Sequence, residues 1–112
     1  MVGPMKVDWI SWLPFPRWRV VRIASSADEI PETLPRNGAV LVCDGGPPKW
    51  IAFECPCRTG HRIMLNTDQR RYPAWRVDLT SLDRLTIAPS ISANSTKRYC
   101  HYFVRNGRIV WT

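Results

Sequence analysis

Tyr99-Cys100-His101-Tyr102-Phe103-Val104-Arg105-Asn106-Gly107-Arg108-Ile109-Val110-Trp111 sets two runs of aromatic and β-branched residues on either side of an Asn-Gly pair. Asn-Gly supplies the two positive-φ positions of a type I′ turn, whose twist suits antiparallel strands. The stretch predicts strands over 99–104 and 108–111 joined as a hairpin. Working back toward the N-terminus, the same strand signals recur between clusters of Gly, Pro, Asp and Ser. They predict strands over 84–88, 75–79, 61–65, 50–57, 39–43 and 18–23. Ser26-Ala27-Asp28-Glu29 has the Ser-x-x-Glu form of a capping box, and Pro31 and Pro35 hold the helix it opens to a turn or two. The expected fold is mostly β: a small antiparallel rolled sheet or open barrel with one short helix, stapled by zinc.

The 112 residues fit one domain, and a chain of this size has a core but little surplus stability. Residues 1–16 hold Trp9, Trp12 and three prolines without clean periodicity, so they form an irregular arm on a β-rich domain over 17–112. The arm could complete the core or dock on a partner through its aromatic residues. No run approaches the roughly 20 apolar residues of a membrane helix. The N-terminus lacks the pattern of a secretory signal, which makes a cytoplasmic location the default.

In that compartment the four cysteines are expected as thiols or metal ligands rather than disulfides. Cys55-Pro56-Cys57 is the most informative short motif, because the period-2 repeat of a strand sets both sulfurs on one face. Gly60 permits a turn that returns His61 toward them, and Cys100 on the final hairpin adds a third thiolate. Zinc takes such a set of sulfur and imidazole ligands. The expected ligands are Cys55, Cys57 and Cys100, with His61 or His101 as the fourth. On a regular strand His101 faces away from Cys100, which favours His61 as ligand and frees His101 for structural or acid-base work. Cys43, among apolar neighbours, is expected in the core.

Sixteen Lys and Arg against nine Asp and Glu give a net charge of +7, so an acidic partner is expected, whether nucleic acid or protein. Arg70-Arg71-Tyr72 with Trp75-Arg76 mixes cations and stacking surfaces and is the best patch for one.

From about Ser25 onward the chain resembles a family of small bacterial proteins known as a domain of unknown function. The resemblance is carried by Ser26-Ala27-Asp28-Glu29-Ile30-Pro31, by Phe53-Glu54-Cys55-Pro56-Cys57 through His61-Arg62-Ile63-Met64-Leu65-Asn66, by Trp75-Arg76-Val77, by Leu85-Thr86-Ile87-Ala88-Pro89-Ser90-Ile91, and by 101–111. The family has a third cysteine where Thr59 stands and a Cys-x-Ser-His run where Arg98-Tyr99-Cys100-His101 stands. Its members are often encoded beside bacterial ubiquitin-like proteins and their conjugation enzymes, and the family looks like a metal-binding one. The resemblance implies an accessory role in such a system, as a peptidase that processes or removes the ubiquitin-like protein. The implied partners are that protein or its conjugation enzymes, while the lack of an apolar run leaves no membrane among the expected partners.

Two catalytic schemes follow for such a peptidase. A zinc with three protein ligands and a water would polarise the scissile carbonyl, with His101, or secondarily Glu54, moving the proton. Alternatively Ser90 is the nucleophile and His101 its base, although the sequence has no Gly-x-Ser-x-Gly elbow. The non-enzymatic alternative is a zinc-binding β module that binds nucleic acid or docks on a conjugation enzyme.

Overall fold

The computed structural model describes residues 17–94 and 99–112, and the expected arm over 1–16 lies outside them. Among the described residues eight strands follow in order: β1 (Arg19–Ala24), β2 (Gly38–Cys43), β3 (Pro48–Glu54), β4 (Arg62–Asn66), β5 (Arg76–Val77), β6 (Ile87–Asn94), β7 (Tyr99–Arg105) and β8 (Arg108–Trp111). They form two open four-stranded sheets, ordered β1-β2-β3-β4 and β5-β6-β7-β8.

The mostly β fold agrees with the reading of the sequence, and three local features differ from it. First, β1 pairs with β2 in parallel, a long-range pairing that no local turn announces. Its sequence correlate is that β2 is buried over Gly38–Val42, as a strand covered on both faces must be. Second, the capping box does not form. Ser26 makes no side-chain cap, the element is a single 3-10 turn over Ala27–Glu29, and Glu29 instead accepts hydrogen bonds from the Ser25 amide and hydroxyl. Third, the strand expected over 84–88 runs over Ile87–Asn94, and that expected over 75–79 shrinks to Arg76–Val77.

The main core is shared by both sheets, with Leu41, Ile51, Phe53 and Leu65 from the first against Ile87, Ile91, Tyr102 and Val104 from the second. A smaller cluster of Ala24, Leu34, Val40 and Val42 covers the other face of the first sheet. Trp18 joins the two halves. Its ring meets Phe53 edge-on at 5.6 Å, its amide donates to the Gly107 carbonyl at 2.9 Å, and its carbonyl accepts from Leu85 at 2.9 Å. The tip of the last hairpin is thus fastened to the entry of β1. Asn106 (φ 52°) and Gly107 (φ 80°) both adopt the left-handed conformation that the type I′ turn requires.

Candidate functional site

Along β7 the side chains alternate. Cys100, Tyr102 and Val104 are buried, whereas His101 and Phe103 lie on the opposite, partly open face. Across from them β6 is irregular: four steps from Ile87 to Ile91 match only two from Val104 to Tyr102. Ala88, Pro89 and Ser90 stand opposite Phe103 alone, a surplus of two residues, and bulge from the ladder with β7. Proline has no N–H to give to a ladder, so a bulge is where a strand can hold one, and bulges re-aim side chains. Here the bulge brings Ser90 Oγ to 3.0 Å from His101 Nε2.

The far side of the imidazole is held as well. His101 Nδ1 lies 2.8 Å from Thr112 Oγ1, which in turn stands 3.4 Å from the His101 carbonyl oxygen. The Thr112 amide donates to that same carbonyl at 3.1 Å. With Nδ1–H donating to Thr112 Oγ1, and the hydroxyl donating to the carbonyl, Nε2 is left as the acceptor facing Ser90. Tyr99 and Phe103 flank the imidazole, each with its ring centre 6.4 Å away. Trp75 reaches over from beside β5, and its Nε1–H donates to the Ser90 carbonyl at 3.2 Å.

A second constellation lies behind β7. The ligand atoms of Cys55, Cys57, His61 and Cys100 all fall within 4.8 Å of one another. The sulfurs converge for a different reason from the expected strand repeat, since β3 ends at Glu54 and Cys55–His61 forms a turn. Arg58 (φ 63°) and Gly60 (φ 90°) take the left-handed conformation within it. The Cys55 amide donates to the His61 carbonyl at 2.9 Å, which closes the turn and returns His61 Nε2 to 3.4 Å from Cys57 Sγ. Cys55 and Cys100 are buried.

Burial pushes the Cys55 thiol up to about 12. Burial also acts to raise Cys57, but hydrogen bonds from the Thr59 hydroxyl and amide, and from the neighbouring thiols, outweigh it and bring Cys57 down to about 7. Burial, followed by the charge of Cys55, raises the Tyr102 hydroxyl, which sits 3.8 Å from Cys55 Sγ. Four tetrahedral ligand atoms at zinc-sulfur distances of about 2.3 Å stand roughly 3.8 Å apart. The cluster has that scale, and its three thiols and one imidazole suit a soft divalent ion.

The remaining residues singled out in the sequence are spread over the surface. The Glu54 carboxylate is taken by Arg62 at 3.2 Å on the first sheet, so it is committed to an ion pair there. Arg70 pairs with Asp68 at 2.9 Å, Arg71 and Tyr72 are exposed, and Arg76 is exposed on β5. Cys43 packs against the main core. The sequence reading does not include Thr112 in the site, and it places Trp75 in the basic patch rather than beside Ser90, whose carbonyl its indole reaches. For Thr112 a signal existed, because the register of the Asn106-Gly107 hairpin sets position 112 opposite position 101. Among the described residues no helix is long and apolar enough to cross a membrane.

A family model described as bacterial ubiquitination-like system serine protease (BubE) matches residues 26–112. No curated protein and no solved structure matches the chain. With most of its length covered by that model, the chain belongs to the BubE family of bacterial ubiquitination-like systems.

Proposed function

We propose that this BubE family member is a serine peptidase in which Ser90 is the nucleophile and His101 the general base, acting on the ubiquitin-like protein of its system. The observation that carries the reading is the 3.0 Å contact between Ser90 Oγ and His101 Nε2. It has the reach that proton abstraction by a general base requires.

In the first half-reaction Ser90 Oγ attacks the scissile carbonyl carbon as its proton passes to His101 Nε2. The tetrahedral intermediate collapses when the imidazolium returns that proton to the departing amine, leaving an ester on Ser90. Water then attacks the ester, giving its proton to Nε2, and Ser90 Oγ recovers it as the acid product leaves. Thr112 stands where other serine hydrolases use a carboxylate. A neutral hydroxyl orients the imidazole but gives its positive form less help than an anion would. The reading replaces the zinc-water scheme: three thiols and an imidazole complete a four-ligand shell, which is the form of a structural zinc site, whereas a catalytic one keeps a position open. When zinc is bound it supplies a crosslink from the 55–61 turn to β7. Glu54 has no step in this scheme.

The test is labelling with a fluorophosphonate, which forms a bond only with an activated serine. The wild type should be labelled at Ser90, Ser90→Ala not at all, and His101→Ala far more slowly. It should be paired with cleavage of a fusion of the ubiquitin-like protein to a reporter. Folded wild-type protein that neither labels nor cleaves would sink the proposal.

A further inference from the structure

We infer that the depression beside β5 is the substrate subsite next to Ser90, and that it takes an extended polypeptide segment with an aliphatic side chain and a neighbouring carboxylate. The inference rests on the serine-peptidase reading and adds what that reading lacks, a basis for selecting the bond to be cut.

Two adjoining depressions, of about 330 and 530 Å³, share Arg76, Val77 and Leu79 as a common wall. The smaller is closed on its other sides by Pro47, Pro48 and Trp75 and by the polar residues 67–70, among which Asp68 is paired with Arg70. This same Trp75 donates to the Ser90 carbonyl, so one side chain forms both the wall of the groove and a support of the nucleophile. The larger depression reaches Ala88, which pairs with Arg76 across β5 and β6 and precedes Ser90 by two residues. The bulge thus carries the wall of the groove, at Ala88, to within two residues of the nucleophile. A substrate whose scissile carbonyl sits at Ser90 therefore lays a neighbouring side chain over the groove.

The character of the walls selects that side chain. Leu79 is 51% exposed in a small domain, and with Val77, Trp75 and the two prolines it offers an apolar seat. Arg76 stands at the rim. It is exposed, and among the described residues its guanidinium has neither a hydrogen bond nor an ion pair, its backbone alone being engaged in the ladder with β6. A solvent-facing guanidinium beside an apolar seat is complementary to an aliphatic residue flanked by Asp or Glu, and it offers a planar fork to a carboxylate. The net charge of +7 acts in the same sense on the approach of an acidic substrate.

The experiment digests a mixed library of synthetic peptides with the full chain and identifies the cut sites by mass spectrometry, for wild type, Leu79→Asp and Arg76→Glu. Fluorophosphonate labelling of each protein runs alongside. Wild type should favour sites with an aliphatic residue and an acidic neighbour at a fixed distance from the cut. Arg76→Glu should lose the acidic preference and Leu79→Asp the aliphatic one. For the best wild-type peptide, kcat/KM should fall by about tenfold or more, mainly through KM, while Ser90 labels at the wild-type rate. Unchanged preferences in both variants would overturn the subsite and leave Ser90 and His101 in place. A wild type that labels at Ser90 but cuts no peptide would overturn the extended-chain occupant alone, whereas a wild type that does neither overturns the catalytic reading and this inference with it.

Discussion

Cys100 and His101 are consecutive on β7 and serve opposite faces of the sheet. The Cys100 sulfur lies within the buried cluster with Cys55, Cys57 and His61, and His101 Nε2 meets Ser90 Oγ at 3.0 Å. One peptide bond therefore links the candidate metal centre to the candidate base. A change in how firmly Cys100 is held reaches His101 as a displacement of backbone, and a displacement of about 1 Å can cost on the order of a hundredfold in rate. The link is mechanical, because the imidazole and the sulfurs are separated by the sheet.

That arrangement predicts how activity responds to metal. Zinc is expected in stoichiometric amount, and its removal by a chelator should lower the melting temperature and abolish activity together. Cobalt or cadmium restored to the same four ligands should recover both. Activity that tracks the presence of a metal but hardly its identity marks a crosslink. A strong dependence of kcat on which metal is bound would mean that the ion takes part in the chemistry.

Thr112→Val keeps the shape of the side chain and removes the hydroxyl that holds His101 Nδ1. The imidazole then loses its fixed tautomer and orientation, although it keeps its packing between Tyr99 and Phe103. A fall in kcat of about 10- to 100-fold is expected, with KM little changed. Thr112→Ser should retain most of the activity. Steady-state kinetics on one cleavable reporter fusion would check both variants, and a Thr112→Val enzyme at full rate would remove the hydroxyl from the mechanism.

The hairpin tip offers a test of how the sheets are fastened. A Cβ added at Gly107 would stand 2.8 Å from Arg17 Cβ and 3.2 Å from the Trp18 carbonyl, at a φ of 80°. The backbone conformation alone costs an L side chain about 1–2 kcal/mol, and the contact with Trp18 adds to it. Gly107→Ala should lower the melting temperature by roughly 10 °C in a domain of this size. Gly46→Ala is the control, since a Cβ there meets nothing within 4 Å, and it should shift the transition by little.

The hairpin shows how far the sequence can be read. Asn106-Gly107 determines turn type, register and strand ends locally, and β8 lies where the pattern predicts it. The same register, continued one residue beyond Trp111, sets Thr112 against His101, so that contact was open to arithmetic. The spacing of the Cys-x-Cys pair predicts a strand repeat, whereas two left-handed residues, Arg58 and Gly60, make a turn there. Ser90 was legible as a candidate nucleophile but not as part of a strand, because Pro89 argues for an end to the ladder and only the pairing with β7 carries β6 past it. The parallel β1–β2 pair, and the bond from Trp75 to Ser90, depend on contacts distant in sequence that no short motif encodes.

Trp75 separates the two parts of the proposed site in a single variant. Trp75→Phe keeps an aromatic wall for the groove but loses the Nε1–H that holds the Ser90 carbonyl at 3.2 Å. A neutral hydrogen bond of this kind is worth about 0.5–1.5 kcal/mol, so its loss should loosen the bulge without unfolding β6. The expectation is a fall in kcat of about three- to tenfold with KM close to wild type, because the apolar seat is still filled. Arg76→Glu should show the reverse division, with KM raised and kcat nearly kept. Measured on the same peptide, the two variants would then place Trp75 as a positioning residue for the nucleophile and Arg76 as a contact to substrate. If Trp75→Phe instead raised KM alone, the indole would belong to the groove and the bond to Ser90 would have no part in the rate.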